Sequence, residues 1–500
     1  MSTLNKKWYS GMLSTEDWWS AWLGLFFFAL GLLSIWGLDV VGWIAKPKTW
    51  EFTNLMQDFA WSKLVKTTAK DYNHLHPLVA ILMTYVVFTF LTSIGAYFQK
   101  LNVKKYIIGF TVIFILTWFA WIVGHEAHFS AINAVVKGKN YHEIYDLTWG
   151  LQLGGGFSFM LALLIGLIIG NFFKGFADKI REAAKPEWFI KTAIVLLGIK
   201  LGMMTMKAAG FTYELALAGA AAAFVAYLLF WPIIYYIGRK FFKLNRSSAA
   251  VLSSGISICG VSASIATAGA IKAKPIIPIA VSTLIIVFAM FELVVLPPLY
   301  TNIAPSEPIV NGAAMGMTVK TDGADAAAGA ILDELMISKH LKKQDEKWEE
   351  GWILSAAILT KIWIDVFIGI WSFILAVIWI RNVENKKKKE KIPLKEIWFR
   401  FPKFVLAYML VWVIYLGMMY FFPDILPDAK IGGNIVQGTF RKFMFMLTFL
   451  SIGVITDFSK LKGMGRLTLL YAIGLFIIIA PIAYLVAYIF HHGMLPPLAH

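Results

Sequence analysis

The chain reads as an all-α polytopic membrane protein: about thirteen transmembrane segments, an inverted-repeat core with discontinuous helices, and an N-terminal accessory helical bundle. Three observations lead there. Hydrophobic residues make up 59% of the chain and charged residues 15%, with a mean hydropathy of +0.68. Apolar runs of about 18 residues or more, long enough to cross a bilayer, recur along the whole length. Two of those runs are interrupted by glycines, hydroxyls and ionisable groups, where a lipid-facing helix would carry Leu or Phe. Irregular polar backbone survives at membrane depth only where it lines a cavity.

By hydropathy the spans fall near 18–41, 78–98, 106–125, 151–173, 189–206, 215–238, 247–271, 275–299, 309–332, 352–380, 402–422, 439–457 and 467–490. The first run begins near Trp18 and has no small-residue cleavage site after it, so it reads as a span and not as a signal peptide. The segments at 247–271 and 309–332 are rich in Gly, Ala and Ser and read as half-helices or re-entrant elements.

Loop charges set the orientation. The short basic loops follow even-numbered spans: Lys100, Lys104 and Lys105; Lys174, Lys179, Arg181 and Lys185; Arg239, Lys240, Lys243 and Arg246; Arg381, Lys386 to Lys389, Lys391 and Lys395; Lys460, Lys462 and Arg466. The positive-inside rule places these in the cytoplasm, the N-terminus with them and the C-terminus outside. The loop after the first span, with Lys46, Lys48, Lys63, Lys66 and Lys70, fits less cleanly; its Trp50, Phe52 and Trp61 suggest a folded segment at the interface. The net charge of +16 therefore reflects basic loops and anionic lipid, not nucleic-acid binding. The single cysteine, Cys259, excludes an intramolecular disulfide.

Two parts differ in character. Residues 1–145 hold about three aromatic-rich spans and read as an accessory membrane bundle; residues 146–500 hold about ten spans and read as the transporter core. A weak repeat supports an inverted core. Aligning Gly198 on Gly453 brings Lys207 onto Lys462 and Gly210 onto Gly465, on spans that run in opposite directions. Two unrelated helices ending in Lys and Gly would give the same match.

The first broken run, 253–264, offers Ser254, Ser257, Ser262 and Ser264 as hydroxyls, with Gly255 and Gly260 permitting unusual backbone. An unwound stretch there would turn N–H groups and half-helix N-termini toward an anion. The competing reading is close helix packing through small residues. The second run carries Lys320, Asp322 and Asp325 within six residues. Ionisable groups inside a membrane are costly and usually functional; a self-neutralising structural cluster is the alternative. Lys361 and Asp365, four apart on one helical face, read as an internal pair or a coupling group. Glu292 looks buried near a span end, and Lys200 reads as a snorkelling lysine. His125, Glu126 and His128 resemble an interface cluster more than a metal site, because no third ligand stands at the right spacing. Gly154 to Gly156 read as a bend or packing run. No phosphate loop, dinucleotide fingerprint or base beside Cys259 is present, so neither a cofactor nor an enzyme is expected.

The stretch Ser254-Gly255-Ile256-Ser257-Ile258-Cys259-Gly260-Val261-Ser262-Ala263 resembles the Ser-Ile-Cys-Gly-x-Ser-Ala signature of the YeiH-like sulfate-exporter family. The segments from Lys272 to Leu284, from Ala356 to Lys361 and from Ile194 to Leu201 are similar to that family too, in the same order, so the resemblance covers roughly 150–490. It implies a multi-pass inner-membrane protein exporting sulfate or related anions. It also implies a fold like that of the bile-acid symporter and sodium–proton antiporter superfamily, with 247–271 and 309–332 as a crossing pair of discontinuous helices beside a panel domain. The chain departs from the family at Lys320, where a histidine is expected, and in having residues 1–145. The span count also makes the two broken segments parallel, whereas an inverted crossing pair is antiparallel.

The expected function is secondary transport of a small anion, sulfate or sulfonate-like. Ser254, Ser257, Gly260, Ser262, Ser264 and Lys320 bind it, and Asp322, Asp325, Lys361 and Asp365 couple it to protons or sodium. A cation/proton antiporter using Asp322 and Asp325, or a membrane-embedded enzyme or receptor, are the alternatives. Expected partners are the anion, protons or sodium, membrane lipid and no nucleic acid, with a homodimer as the assembly the superfamily suggests.

Overall fold

The computed structural model describes residues 10–52, 55–62, 64–65, 72–73, 75–131, 135–136, 139–140, 145, 147, 149–151, 157–207, 209–271, 273–274, 276–344, 346–382, 403–461 and 465–499. Within the helices some side chains, among them Lys207, Ser262 and Asp322, also lie outside the described set. So do Lys63, Lys66, Lys70, Gly154 to Gly156, Lys386 to Lys389, Lys391, Lys395 and Lys462.

Among the described residues the architecture is helical, with two two-residue β-hairpins in the connections (64–65 with 72–73, 135–136 with 139–140). The helices are α1 Glu16–Leu32, α2 Pro77–Phe98, α3 Val103–Gly124, α4 Phe157–Phe172, α5 Lys174–Ile180, α6 Pro186–Lys207 and α7 Ala209–Lys240. They continue with α8 Arg246–Ser257, α9 Gly260–Ala270, α10 Ile276–Ile303, α11 Pro308–Thr318, α12 Asp322–Gln344 and α13 Trp352–Asn382. The last are α14 Lys403–Phe421, α15 Leu426–Ile435, α16 Arg441–Ile455, α17 Gly465–Ala472 and α18 Ala480–His491. Wide turns at Val436–Phe440 and Ile473–Ile479 join α15 to α16 and α17 to α18.

Six of these stretches are long and apolar enough to cross a membrane: Glu16–Trp36, Pro77–Phe98, Val103–Gly124, Gly210–Lys240, Pro423–Ile455 and Gly465–His491. Phe157–Phe172 with Lys174–Ile180, bent by 115°, makes a seventh if counted as one.

The segments at 247–271 and 309–332, counted among the spans and read as half-helices or re-entrant elements, are hairpins. Thr267 Oγ1 on α9 donates to Ser254 Oγ on α8 at 2.7 Å. On one continuous helix these residues would stand about 20 Å apart. Asn311 on α11 lies 3.6 Å from the Met336 sulfur on α12, where a continuous helix would separate them by about 38 Å. Each segment therefore folds back at its break. Hairpin 1 (α8–α9) turns at Ile258 and Cys259; hairpin 2 (α11–α12) turns at Val319, Lys320 and Thr321. Hydropathy measures length and not direction, so a folded-back run of span length reads as a span.

The long helix α10 connects the open end of hairpin 1 to the open end of hairpin 2, and passes both tips on the way. Ile285 lies against Gly260, and Glu292 bonds Lys320. The two hairpins consequently enter from opposite ends of α10 and meet tip to tip. Helix α13 runs past the same junction, its carbonyls at Ile353 and Ala357 touching Gly312 and Gly316 so closely that no Cβ fits there.

A second layer is aromatic. α1 packs on α6 and α14, α3 on α4, and α4 on α16. Phe27, Phe88, Phe440 and Phe443 pack in tilted and edge-on pairs between α1, α2 and the α16 end, with neighbouring ring centroids 4.8 to 5.7 Å apart. The first three long helices thus pack directly on residues of the later part. Gly198 packs on Tyr408 and Val411 of α14, and Gly453 on α4 between Leu163 and Leu167. The connection after α1 is folded, as its aromatics suggest. Trp50 is buried and donates to the Ile122 carbonyl at 2.7 Å, and Lys46 pairs in a bridge with Trp61.

Candidate functional site

The two broken runs break for legible reasons. Asn245 caps α8 by accepting from Ser248 N, and the helix ends where Ile258 adopts φ −116°, ψ −111°. Helix α11 starts with Pro308 in its first turn and ends at extended Val319, φ −73°, ψ 130°. Four half-helix ends therefore converge: the C-termini of α8 and α11, and the N-termini of α9 and α12. C-terminal ends favour cations and N-terminal ends favour anions.

Lysines meet the C-terminal ends. Lys361 Nζ on α13 donates to the Ile258 carbonyl and the Val319 carbonyl, each at 3.0 Å, and so ties one hairpin tip to the other. Lys320 Nζ donates to the Met317 carbonyl and sits 5.4 Å from the Phe230 ring on α7. Lys320 N donates to Glu292 Oε2 at 3.1 Å. A Cβ on Gly260 would stand 2.6 Å from the Lys320 carbonyl oxygen and 2.5 Å from Ile285 Cγ2, so only glycine lets the tips touch.

Glu292, Lys320, Asp325, Lys361 and Asp365 are each at most 5% exposed. Lys320 lies within electrostatic reach of Lys361, Glu292 and Asp325. Among the described residues, three carboxylates thus accompany two ammonium groups in and beside a buried junction, an arrangement that is costly unless the charges compensate one another or a ligand.

The candidates separate into groups. Gly260, Lys320 and Lys361 meet at the tips. Ser257, in the last turn before the first tip, has its hydroxyl buried with no hydrogen-bond partner among the described residues, as does Thr360 beside Lys361. Asp325 lies one turn into α12 and Asp365 one turn beyond Lys361, both buried. Ser264 is buried within α9. Ser254 sits deeper in hairpin 1, where it accepts from Trp231 Nε1 at 2.9 Å and from Thr267, and so braces the two limbs. The Ser262 and Asp322 side chains lie outside the described residues. Glu292 stands at the middle of α10, beside the point where the tips meet. Phe230, Trp231 and Thr360 carried no signal in sequence; an apolar ring or a lone hydroxyl on a span is ordinary until the hairpins are placed.

A second charged cluster surrounds the open end of hairpin 2. Lys442 on α16 pairs with Glu334 at 3.0 Å and Glu350 at 3.8 Å, and Lys200 on α6 with Glu349 at 3.8 Å. Lys442 first, then Lys347, hold the Glu350 carboxyl well below the usual carboxylate range. Asp333 accepts from Gly351 N at 2.8 Å and Ile353 N at 3.1 Å, capping α13. Lys200 therefore ends in an ion pair, with its ammonium toward this cluster. His125 Nδ1 contacts the Trp121 carbonyl and Ser158, and His128 pairs with Glu126 at 2.7 Å.

A family model described as "Conserved hypothetical protein 698" matches residues 156–472, which include both hairpins and α10 and α13. The chain belongs to the UPF0324 family of membrane proteins. It is 56% identical over 497 residues to a UPF0324 membrane protein of Nitrosomonas europaea, covering 99% of this chain and 100% of that one. A UPF0324 membrane protein of Rhodopirellula baltica is 31% identical across 86% of this chain and 72% of its own. The UPF0324 inner membrane protein YeiH of Escherichia coli is 22% identical across 69% of this chain and 89% of its own. In this UPF0324 protein Gly260, Glu292, Gly312, Gly316, Lys320, Asp325, Lys361 and Asp365 fall inside the matched family region, whereas α1 to α3 precede it.

Proposed function

We propose that this UPF0324 protein is a secondary active transporter, not an enzyme, that exports or exchanges a small anion such as sulfate or a sulfonate. The observation that carries the reading is the junction itself: two opposed hairpins whose tips meet around Glu292, Lys320, Asp325, Lys361 and Asp365. Broken helices with buried charge at a shared point are the usual form of a secondary-transport site. The N–H groups opening α9 and α12, with the Ser257 and Thr360 hydroxyls, supply donors for an anion. Lys320 supplies the counter-charge.

Charge compensation argues for coupling. An anion added beside three carboxylates and two lysines raises the buried negative charge unless carboxylates take up protons. Asp325, Asp365 and Glu292 are the groups placed to do so, which favours proton coupling over sodium coupling. The same surplus of carboxylates favours a second reading, a cation/proton antiporter in which Asp325 with Asp322 binds the cation directly.

Two hairpins, each followed by a long helix, form the inverted pair of the core in this reading. With the hairpins not crossing, about eleven spans remain. Both hairpins leave the even-numbered basic loops on one side, so the N-terminus stays cytoplasmic and the C-terminus outside in the plasma membrane. Alternating access follows from rigid-body movement of the hairpin core against the aromatic layer.

Radiolabelled sulfate flux in proteoliposomes tests this, with an imposed pH or sodium gradient and with Lys320→Ala beside wild type. Sulfate movement driven by the proton gradient and lost in the variant is the expected result. Proton movement on adding sodium or potassium, with no sulfate flux, would replace the anion reading by the antiporter.

A further inference from the structure

We propose that the Lys361 ammonium is a tethered cation. It fills a carbonyl site between the two hairpin tips of the kind that takes a free monovalent cation, so the protein binds no sodium there, and removing the side chain opens that site. The flux arm of the test rests on the anion-transport reading above; the binding arm rests on geometry alone.

Ile258 and Val319 each follow the last turn of a half-helix and leave helical backbone conformation. Their carbonyls are among those a helix end leaves without an intrahelical partner. They come from different hairpins, yet both lie 3.0 Å from one nitrogen. Unwound carbonyls at half-helix C-termini are the donors with which secondary transporters hold a coupling cation. Here a charge from α13, 2% exposed, stands in that position. Lys320 places a second ammonium on Met317 O at the same junction. A free metal ion between these carbonyls would face two fixed positive charges. The chain thus supplies its own cation equivalents, and does so at the point that joins the tips.

The test compares purified full-length wild type with Lys361→Ala in N-methylglucamine chloride, with methylammonium, potassium or sodium chloride substituted for it. The melting temperature of Lys361→Ala should rise by about 3 °C or more with methylammonium or potassium, while wild type stays put. Wild-type sulfate flux should change less than about twofold when all sodium is replaced. Flux through Lys361→Ala should fall about 100-fold and recover about tenfold with methylammonium. Should the alanine variant not fold, Lys361→Ser prepared in methylammonium serves, expected to remain monodisperse there and to aggregate in N-methylglucamine. Wild type stabilised by sodium, or a folded variant that responds to none of the three cations, would overturn the proposal. Cation-dependent melting without sulfate flux in any protein would support the tethered cation and sink the anion reading. Sulfate flux that needs sodium in wild type would do the reverse.

Discussion

The two hairpins share a shape and differ in what holds them. Hairpin 1 is braced internally and from α7, by the Ser254 hydroxyl with Thr267 and Trp231. Hairpin 2 has one weak internal contact, Asn311 to the Met336 sulfur, and is held mostly from outside. Asn311 donates to the Tyr300 and Ala304 carbonyls at the end of α10, Glu292 accepts from the Lys320 backbone, and Lys442 of α16 grips Glu334. Neutral hydroxyl pairs are short-ranged and fix one limb against another. Charges reach across element boundaries and bind the hairpin to other elements of the fold. The difference makes hairpin 1 the more self-contained element and hairpin 2 the one whose position the aromatic layer sets.

The largest effect should come from forcing the tips apart. Gly260→Val puts a side chain into the Lys320 carbonyl and Ile285. We expect sulfate flux to fall at least about 100-fold and stability by about 2–3 kcal/mol, the range of overpacking in a tight core. A variant with wild-type flux and melting temperature would mean that the tips do not touch in the working protein. Next is Glu292→Gln, which keeps the shape and an acceptor for Lys320 N but removes the charge. Flux should drop about tenfold or more with the melting temperature little changed, a split that a purely structural carboxylate would not give.

Lys442→Met should act on hairpin 2 alone. Amide exchange should quicken about tenfold around 330–344 and stay unchanged in hairpin 1. Equal acceleration in both hairpins would erase the contrast drawn above. Thr267→Val should do the opposite, costing about 1 kcal/mol, seen as a lower melting temperature and faster exchange confined to 246–270.

The smallest effect concerns acid. Outside the spans, Asp457 accepts from the Ser459 hydroxyl and from Lys174, and these hold its carboxyl down to about 2 from the ordinary 3.8. A depressed carboxylate stabilises above its unfolded value and loses that contribution as pH falls through its folded one. Protection of 456–461 should therefore persist at pH 5 and fade between about 4 and 2. Lys174 is half exposed, so solvent screening keeps the energy small. Protection already lost at pH 5 would show that the pair does not hold this loop.

Much of the site was written locally. Hydroxyls, glycines and lone charges in runs of span length mark 247–271 and 309–332 as interrupted, and single residues such as Lys320 and Lys361 announce themselves by their cost in lipid. Ser254 looked like its neighbour Ser257, yet one braces a hairpin and the other lies at the tip, a distinction that depends on Trp231 from another helix. Glu292 looked peripheral because its depth was judged from the ends of its own apolar run. Its true level is set by where two other segments turn.

By itself the sequence determined that this protein lives in a membrane, which two runs are interrupted, and which charges stand inside apolar runs. Those follow from transfer energies and backbone preferences, which are properties of short stretches. Only the tertiary structure decided that the broken runs fold back, that their tips meet, and that Lys361 and Glu292 join them. Each of those depends on pairing carbonyls and charges far apart in the chain, and a buried polar group is satisfied by whichever partner the packed fold brings to it.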